Sequence, residues 1–417
     1  MQYFFILGNN PTISFAELAA VLDLKPAEVL FLSKEILIID VFQEVNPRTL
    51  IKRLGGTIKI GEINDEFLIS NVKKNANVLM SNVQKSIKAG LSGKFNFGIS
   101  YYGAGKFNQE KILAMEFKKS LKEKSISSRW VTSKEKTLSS VVVEQNRLVT
   151  DRGLEIVIIK NSDKYYIGKT LAVQPFKELS ARDYGRPGRD DYSGMLPPKL
   201  AQIMINFAKP LPKPPLFRGG SEGEVVLLDP FCGSGTILTE AMLMGYRNFI
   251  GCDKSEKAVF DTIKNLEWMQ KQYDQWSIVN SQLSVSDVRR LSEKISPNSI
   301  DAIVTEPYLG PSRMQRDKNS LNKVIRELEE LYRQALSEFA KVLKPDGRAV
   351  MIWPVFVLAD NQKIYLNSNR IISNSSLKII SPIAGFNHKV LELTNRNTLL
   401  YGRPDQKVWR EIVILEK

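Results

Sequence analysis

Cysteine and histidine are nearly absent from this 417-residue sequence, and their scarcity excludes several kinds of site. The only cysteines are Cys232 and Cys252, too few for a disulfide framework or a cysteine-rich zinc site. The single histidine, His388, cannot build a multi-histidine metal site, and it argues against Ser-His-Asp catalysis. We therefore predict no bound metal, and a protein of a reducing compartment, the cytoplasm.

Long apolar runs are missing as well. No stretch reaches the roughly 18 residues that indicate a membrane span. The apolar start from Met1 to Gly8 lacks the basic flank and cleavage pattern of a signal peptide, so we predict a first strand there. Hydrophobic residues make up 43% and charged residues 25% of the chain, which is ordinary for globular domains. A chain of this length suggests two or three of them.

Positive charge is in excess and unevenly placed. The formal net charge is +14, and residues 71–136 alone hold 14 Lys and Arg against 4 Asp and Glu. Charge of one sign attracts polyanions, above all nucleic acid, although a solubilising surface explains it about equally well. The residues we predict to contact RNA are Lys94, Lys106, Lys118, Lys119, Arg129, Arg182 and Arg186. For Arg182 and Arg186, covering a bound cofactor is the alternative.

The pattern of apolar runs divides the chain into four segments. Residues 1–70 and 71–175 each predict a small α+β unit, the second with helices at 75–90 and 111–124. Residues 176–223 predict a linker with a proline-dense run at 210–215 and an entry helix at 199–207. From 224 to 417, strands and helices alternate, which predicts an α/β, doubly wound, mostly parallel sheet.

The elements of this last segment can be placed individually. The predicted strands are 225–229, 248–253, 281–286, 300–305 and 348–353, with later candidates at 370–373, 377–383 and 408–415. The predicted helices are 236–244, 255–270 and 321–343.

The loop after the strand at 225–229 carries the strongest chemical signal. It reads Asp229, Pro230, Phe231, Cys232, Gly233, Ser234, Gly235, Thr236. No lysine follows the glycines, so this is not a phosphate-binding P-loop, and position 238 is leucine, so the dinucleotide fingerprint is incomplete. A strand-end carboxylate and a short glycine turn suit a cofactor with an amino-acid tail, such as S-adenosylmethionine.

Two further carboxylates end the next predicted strands. Asp253, with Lys254 beside it, is placed to bind a ribose, and Asp287, with Val288, is placed to accept from an adenine amino group. Each acid alone could equally be a helix cap or a turn residue. Three acids at successive strand ends favour a cofactor site.

The strand at 300–305 leads into Thr305-Glu306-Pro307-Tyr308, which we interpret as the catalytic motif. An exocyclic amine is a poor nucleophile because its lone pair is delocalised into the ring. A carboxylate and a carbonyl that accept its N–H groups favour a localised lone pair, and Tyr308 can stack on a flipped-out base. An ordinary proline turn is the alternative for this stretch.

Together these motifs resemble the amino-methyltransferases, whose catalytic motif usually reads Asp/Asn-Pro-Pro-Tyr/Phe. Residues 71–175 resemble a THUMP domain, an RNA-binding module. The whole chain is similar to the THUMP-containing tRNA guanine-N2-methyltransferases, which act near the base of the D arm. The segments that carry this likeness include Arg182–Pro187, Leu196–Ala208, Leu400–Pro404 and Arg410–Ile412. It implies a Rossmann-like methyltransferase domain at 224–417, a THUMP-like domain at 71–175 and a ferredoxin-like domain at 1–70.

The catalytic motif departs from the family pattern. If Tyr308 is aligned with the family's tyrosine, Thr305 takes the place of the acid; if the strand end is aligned, Glu306 does. We prefer Glu306, because the chemistry needs a carboxylate. The resemblance implies transfer of a methyl group to guanine N2 in tRNA. The alternatives are an rRNA or DNA base as acceptor, or an inactive RNA-binding relative. Some relatives need an activating partner protein, and nothing in the sequence indicates one.

Overall fold

The computed structural model describes most of the chain, namely residues 1–68, 93–105, 107–162, 164–189, 195–208, 225–273, 280–311 and 318–417. These residues form two compact units. The first consists of Met1–Phe15, Leu24–Lys52 and Gly56–Phe176, and the second of Ala16–Asp23, Arg53–Gly55 and Lys177–Lys417. Three predictions lie outside the described residues: the helix at 75–90, the proline-dense run at 210–215, and Lys106.

One eight-stranded mixed sheet organises the first unit. Its strands are β1 (Gln2–Leu7), β2 (Val29–Leu32), β3 (Ile36–Asp40), β4 (Thr57–Leu68), β5 (Phe95–Tyr102), β6 (Ser128–Val131), β7 (Gly153–Asn161) and β8 (Lys164–Val173). They lie in the order β2-β3-β1-β4-β8-β7-β5-β6. Because strands from both sides of residue 70 share this sheet, the predicted division into domains 1–70 and 71–175 stays a prediction.

Among the described residues up to position 175, the chain forms four α-helices. They are α1 (Pro11–Leu22), α2 (Pro47–Arg53), α3 (Glu110–Glu123) and α4 (Ser140–Gln145). In α3, Leu113, Phe117 and Leu121 recur at helical spacing and are buried, and the Phe117 ring meets Phe97 of β5 edge-on at 4.8 Å. The lysines of α3 are left on its exposed face. The predicted helix at 111–124 is confirmed.

The second unit is built on a larger, mixed sheet with four parallel and four antiparallel strand pairs. Its strands are β9 (Val226–Asp229), β10 (Asn248–Asp253), β11 (Asn280–Val285), β12 (Ile300–Thr305), β13 (Leu343–Val357), β14 (Lys363–Tyr365), β15 (Lys378–Ile379), β16 (Leu399–Tyr401) and β17 (Val408–Glu416). The main order is β11-β10-β9-β12-β13-β17-β15, with β14 on β13 and β16 on β17. Strands β9 to β13 pair in parallel, and β17 runs antiparallel to β13.

The helices of the second half of the chain follow the predicted alternation. They are α5 (Phe176–Tyr184), α6 (Pro198–Phe207), α7 (Thr236–Leu243), α8 (Glu256–Gln272), α9 (Lys318–Val342) and α10 (Ser368–Ile372). Across the described ranges, no helix combines the length and apolar character that a bilayer span requires.

The sheet of the second unit changes winding direction between two neighbouring strands. From β9 the chain continues to β10 and β11 on one side, and β12 and β13 lie on the other. Parallel sheets leave a crevice at the carboxyl ends of the strands where the winding reverses. Asp229 ends β9 and Thr305 ends β12, so the two predicted motifs meet at this crevice.

One late strand prediction is wrong. Residues 370–373 were expected to form a strand, but Ser368–Ile372 is the helix α10. The Asn367 side chain accepts the Arg370 N–H at 3.2 Å and caps the helix, and a short apolar run does not distinguish helix from strand. The candidate at 377–383 is reduced to Lys378–Ile379, whereas the strand at 408–415 is confirmed as β17.

Candidate active site

Asp229 is a buried carboxylate with one oxygen left for a ligand. Its side chain accepts the Thr305 hydroxyl at 2.7 Å and the Phe231 N–H at 3.2 Å, and both bonds reach Oδ1. Among the residues the structure describes, none donates to Oδ2. Burial raises the pKa of Asp229 to about 7, although the two hydrogen bonds oppose the shift. A bound cation would relieve this desolvation, so the site favours a positively charged ligand.

The glycine turn after Asp229 has the backbone shape that its sequence predicts. Gly233 and Gly235 have φ values of +51° and +82°, a region that L-residues with a side chain rarely adopt. A Cβ on Gly235 would lie 2.9 Å from the Thr262 side chain. Gly235 directly precedes α7, so the turn brings the positive end of that helix to the crevice.

Two side chains of helix α8 donate hydrogen bonds to the backbone of the glycine turn. Sequence reasoning missed both residues. Thr262 donates to the Gly233 carbonyl at 2.8 Å, and Asn265 donates to the Ser234 carbonyl at 2.7 Å. Their spacing of three residues puts them on one face of α8. That spacing was visible in the sequence, but its target was not.

The predicted ribose acid and adenine acid both border the crevice. Asp253 accepts the Gly233 N–H at 3.1 Å and so ties the end of β10 to the turn. The Asp287 carboxylate accepts hydrogen bonds from the Arg289 guanidinium on both oxygens. These bonds lower the pKa of Asp287 to about 2. Its predicted role toward adenine stays a prediction, and any such contact would share the carboxylate with Arg289.

The first residue of the catalytic motif is buried in the sheet, and the second lines the crevice. Thr305 is fully buried, and its hydroxyl is used by Asp229. Glu306 points into the crevice, where its Oε1 accepts Arg410 Nε at 2.5 Å. This placement supports the alignment in which Glu306, not Thr305, supplies the carboxylate.

The ring of Tyr308 is exposed, whereas its backbone is held by a hydrogen bond. The side chain is 55% exposed, and the carbonyl accepts the hydroxyl of the buried Tyr332 at 2.7 Å. Pro307, which has no N–H to satisfy, stiffens the turn between Glu306 and Tyr308. An exposed ring on a fixed backbone can stack on a planar ligand.

One cavity of about 680 Å³ joins the two motifs, a size within the usual range for small-molecule sites. Its walls hold the predicted cofactor residues Asp229, Pro230, Phe231, Cys232, Gly233, Ser234, Thr236, Asp253, Lys254, Asp287 and Val288. They also hold Glu306, Pro307 and Tyr308, together with Arg410. Cofactor loop and catalytic motif therefore face the same space.

The predicted RNA contacts of Arg182 and Arg186 are wrong. Arg182 is buried and forms an ion pair with the buried Glu240, at 2.6 Å from Nε to Oε1. Arg186 is 5% exposed and donates to the Thr236 hydroxyl at the start of α7. Guanidinium groups buried in this way offer no surface to a phosphate. Arg186 instead contacts the first residue of α7, beside the cofactor turn. The alternative, that these arginines cover a bound cofactor, stays a prediction.

The other predicted RNA contacts lie in the first unit. Lys94, Lys118, Lys119 and Arg129 are all exposed, the two middle ones on α3. Their exposure leaves RNA binding open to them, and their role stays a prediction.

Comparison with known proteins agrees with this geometry. The family described as RMKL-like, methyltransferase domain, matches residues 188–356, and a family described as DNA methylase matches residues 58–264. The first is a family of S-adenosylmethionine-dependent methyltransferases, in agreement with the predicted cofactor. The crystal structure of TrmN from Thermus thermophilus superposes with a TM-score of 0.51 at 15% identity, covering 100% of both chains. The predicted Rossmann-like methyltransferase fold is confirmed, while the THUMP assignment stays a prediction.

Two archaeal relatives are similar in sequence. The tRNA (guanine(10)-N2)-dimethyltransferase of Methanothermobacter thermautotrophicus is 31% identical over 229 residues, which is 54% of this chain and 58% of that protein. The protein of the same name from Methanocaldococcus jannaschii is 28% identical over 230 residues, 52% of this chain and 55% of that protein. The chain thus spans little more than half the length of these relatives. The predicted resemblance to the tRNA guanine-N2-methyltransferases is confirmed.

Proposed function

We propose that this chain, whose second unit carries a methyltransferase domain, transfers a methyl group from S-adenosylmethionine to the N2 amino group of a guanine in tRNA. The observation that carries the proposal is the shared cavity: Asp229 and Glu306 line it together, at the crevice where β9 and β12 end. One carboxylate faces the donor and the other faces the acceptor. The names of the two archaeal relatives support guanine N2 and tRNA as the acceptor.

The residues of the cofactor loop fit an amino-acid-bearing cation. Asp229 Oδ2 would accept the ammonium group, and the N–H groups at the turn before α7 would receive the carboxylate. Asp253 would accept from the ribose hydroxyls. When bound, S-adenosylmethionine supplies an electrophilic methyl group.

The residues of the catalytic motif act on the base. Glu306 accepts a hydrogen bond from the guanine amino group. This bond favours localisation of the amino lone pair on the nitrogen instead of its delocalisation into the ring. Tyr308 stacks on the base once it has left its helical stack, and the Tyr332 hydroxyl keeps the Tyr308 backbone in place. The proton that the nitrogen loses passes to Glu306 or to solvent.

A DNA base is the second candidate acceptor, favoured by the match of residues 58–264 to a family described as DNA methylase. Competition binding separates the candidates. We expect tRNA to displace a labelled tRNA at lower concentration than rRNA fragments or duplex DNA, and preference for duplex DNA would favour the second candidate.

Nucleoside analysis of cellular RNA tests the proposal directly. We expect tRNA from cells lacking the protein to lose N2-methylguanosine or N2,N2-dimethylguanosine at one position, and Glu306→Ala to fail to restore it. Unchanged tRNA guanine methylation, or full restoration by the variant, would show that the proposal is wrong.

A further inference from the structure

We propose that Arg410 is a positioning residue that holds Glu306 in the one orientation in which its second carboxylate oxygen meets the acceptor amine. This inference rests on the proposed function. It concerns a residue about a hundred positions beyond the catalytic motif, on the last strand of the sheet. Arg410 assists the transfer through Glu306, without needing to touch either substrate.

The contact is short, sheltered and located at the cavity. Arg410 Nε donates to Glu306 Oε1 at 2.5 Å, with the two side chains 15% and 13% exposed. Both residues line the cavity that contains Asp229. Among the described residues, no other group donates to the carboxylate of Glu306, so Oε2 remains available to a ligand.

Arg410 reaches Glu306 across an intervening strand. Glu306 directly follows β12, Arg410 lies on β17, and β13 runs between them. Two strand spacings amount to roughly 10 Å. Only a pair of long side chains spans that distance, and glutamate is one methylene longer than the aspartate usual in this motif.

The backbone at Arg410 is fixed on both sides. In the register of the sheet, Arg410 pairs with Pro354 of β13 and with Tyr401 of β16. An anchor inside a sheet restrains the carboxylate more tightly than one on a loop. A free glutamate side chain has three rotatable bonds, and fixing it before the substrate arrives lowers the entropic cost of reaching the reactive geometry.

A second arginine-carboxylate pair, which also involves β17, provides a matched control. Arg348 on β13 bonds Glu416 on β17 at 2.7 Å, and the two are register partners. Neither lines the cavity. Removing this pair perturbs β17 and the adjacent β13 without touching the carboxylate at the site.

The test compares Arg410→Gln, Arg410→Lys, Glu306→Gln, the Arg410→Gln/Glu306→Gln double variant and Arg348→Gln in the full chain. The measured quantities are kcat and KM for tRNA and for S-adenosylmethionine. Arg410→Gln should lower kcat about 100-fold, the cost typical of a misplaced reacting group, and leave both KM values within about threefold. Arg410→Lys should recover part of kcat, and Arg348→Gln should stay within about twofold of wild type.

The double variant separates positioning from general damage. If Arg410 acts through Glu306, the double variant is no slower than Glu306→Gln alone, because the group being positioned is already lost. Wild-type kcat in Arg410→Gln, losses that multiply in the double variant, or equal losses in Arg348→Gln would each overturn the proposal.

A readout independent of activity distinguishes failure of this inference from failure of the proposed function. The same cycle in urea unfolding should show at least a tenfold coupling between Arg410 and Glu306 in the unfolding constant. If the two substitutions had additive effects on the unfolding free energy, Arg410 and Glu306 would not be in contact. If the coupling is present but the wild type methylates no nucleic acid, the proposed function is wrong and the positioning role falls with it.

Discussion

Two buried carboxylates, Glu155 on a strand of the first unit and Asp229 on a strand of the second, are hydrogen-bonded in opposite ways. In the first unit, Glu155 is fully buried, and Lys59 and Ser100 donate to its Oε1 at 2.5 and 2.6 Å. Thr170 donates to its Oε2 at 2.6 Å. In the second unit, Asp229 is equally buried but is bonded at one oxygen only, and no cation in the described residues pairs with it.

The difference indicates which carboxylate serves the fold and which serves a ligand. A buried charge is tolerated when a counter-charge and hydrogen bonds satisfy it, as Lys59 does for Glu155. Asp229 lacks that compensation: burial raises its pKa, and no cation among the described residues offsets the loss of solvation. Such unrelieved desolvation beside a cavity is typical of a binding site.

The largest effect should come from Glu155→Gln. The change leaves the Lys59 ammonium buried with its charge uncompensated, and we expect the free energy of unfolding to fall by about 3 kcal/mol, measured by urea denaturation. Asp229→Asn is the matched control, because the amide oxygen can still accept from Thr305 and Phe231. Its unfolding free energy should stay within about 1 kcal/mol of wild type. Equal losses in the two variants would remove the distinction between the units.

Asp229→Asn should instead weaken cofactor binding. Replacing the carboxylate removes the charge that meets the ammonium group, and we expect the affinity for S-adenosylmethionine to fall about 100-fold by calorimetry. Asp301→Asn is the control, since Asp301 lies at the opposite end of β12 and bonds Lys344 and the Val226 N–H. Unchanged affinity in Asp229→Asn would mean that the cofactor does not use this carboxylate.

The affinity for S-adenosylmethionine should change with pH as the Asp229 carboxyl ionises. With a pKa of about 7, the carboxyl is mostly neutral at pH 6 and mostly ionised at pH 8. Because a cationic ligand selects the ionised form, affinity should rise about tenfold over this range. The dependence should disappear in Asp229→Asn. A flat profile in the wild type would contradict the assignment.

Without cofactor, the free energy of unfolding should fall as the pH rises, whereas the cofactor affinity should rise. Burial raises the pKa of Asp229 above its ordinary value of 3.8, so the neutral carboxyl stabilises the fold fully below pH 4. That contribution is lost as the pH rises through 7. Urea unfolding of wild type and Asp229→Asn between pH 4 and 8 should show the two curves converging or crossing as the pH rises. A wild type whose stability advantage grew toward pH 8 would contradict this sign.

The smallest effect should come from the tyrosine hydroxyls behind the site. Tyr332→Phe removes the bond to the Tyr308 carbonyl and should cost about 1 kcal/mol of unfolding free energy. Tyr246 is a suitable control, because it is as fully buried and its hydroxyl has no hydrogen-bond partner within the part of the chain that the structure describes. Tyr246→Phe should be nearly neutral or stabilising. A larger loss in Tyr246→Phe would contradict the described hydrogen bonding.

The sequence was sufficient for the features that arise locally. Strand and helix periods placed β9 to β12 and α7 to α9 within a few residues, and the two glycines predicted the turn between β9 and α7. Features that depend on distant partners were missed. Arg410 and Glu306 are 104 positions apart, and no local pattern connects them.

The predicted RNA contacts of Arg182 and Arg186 failed for the same physical reason. Both residues were selected for their charge, yet both are buried and bond to Glu240 and Thr236 of α7. Sequence shows that a residue can carry charge, but only packing shows whether solvent or a ligand can reach it. The same limit applies to Glu306, whose place in the crevice favours one of the two alignments.

Transfer of a labelled methyl group tests the central claim most directly. Purified protein is incubated with methyl-labelled S-adenosylmethionine and unmodified tRNA, and the RNA is digested and analysed by mass spectrometry. We predict the label in N2-methylguanosine or N2,N2-dimethylguanosine for the wild type, and a large loss of that label in Glu306→Gln. Label in adenosine or cytidine, or no label from protein that binds the cofactor, would contradict it.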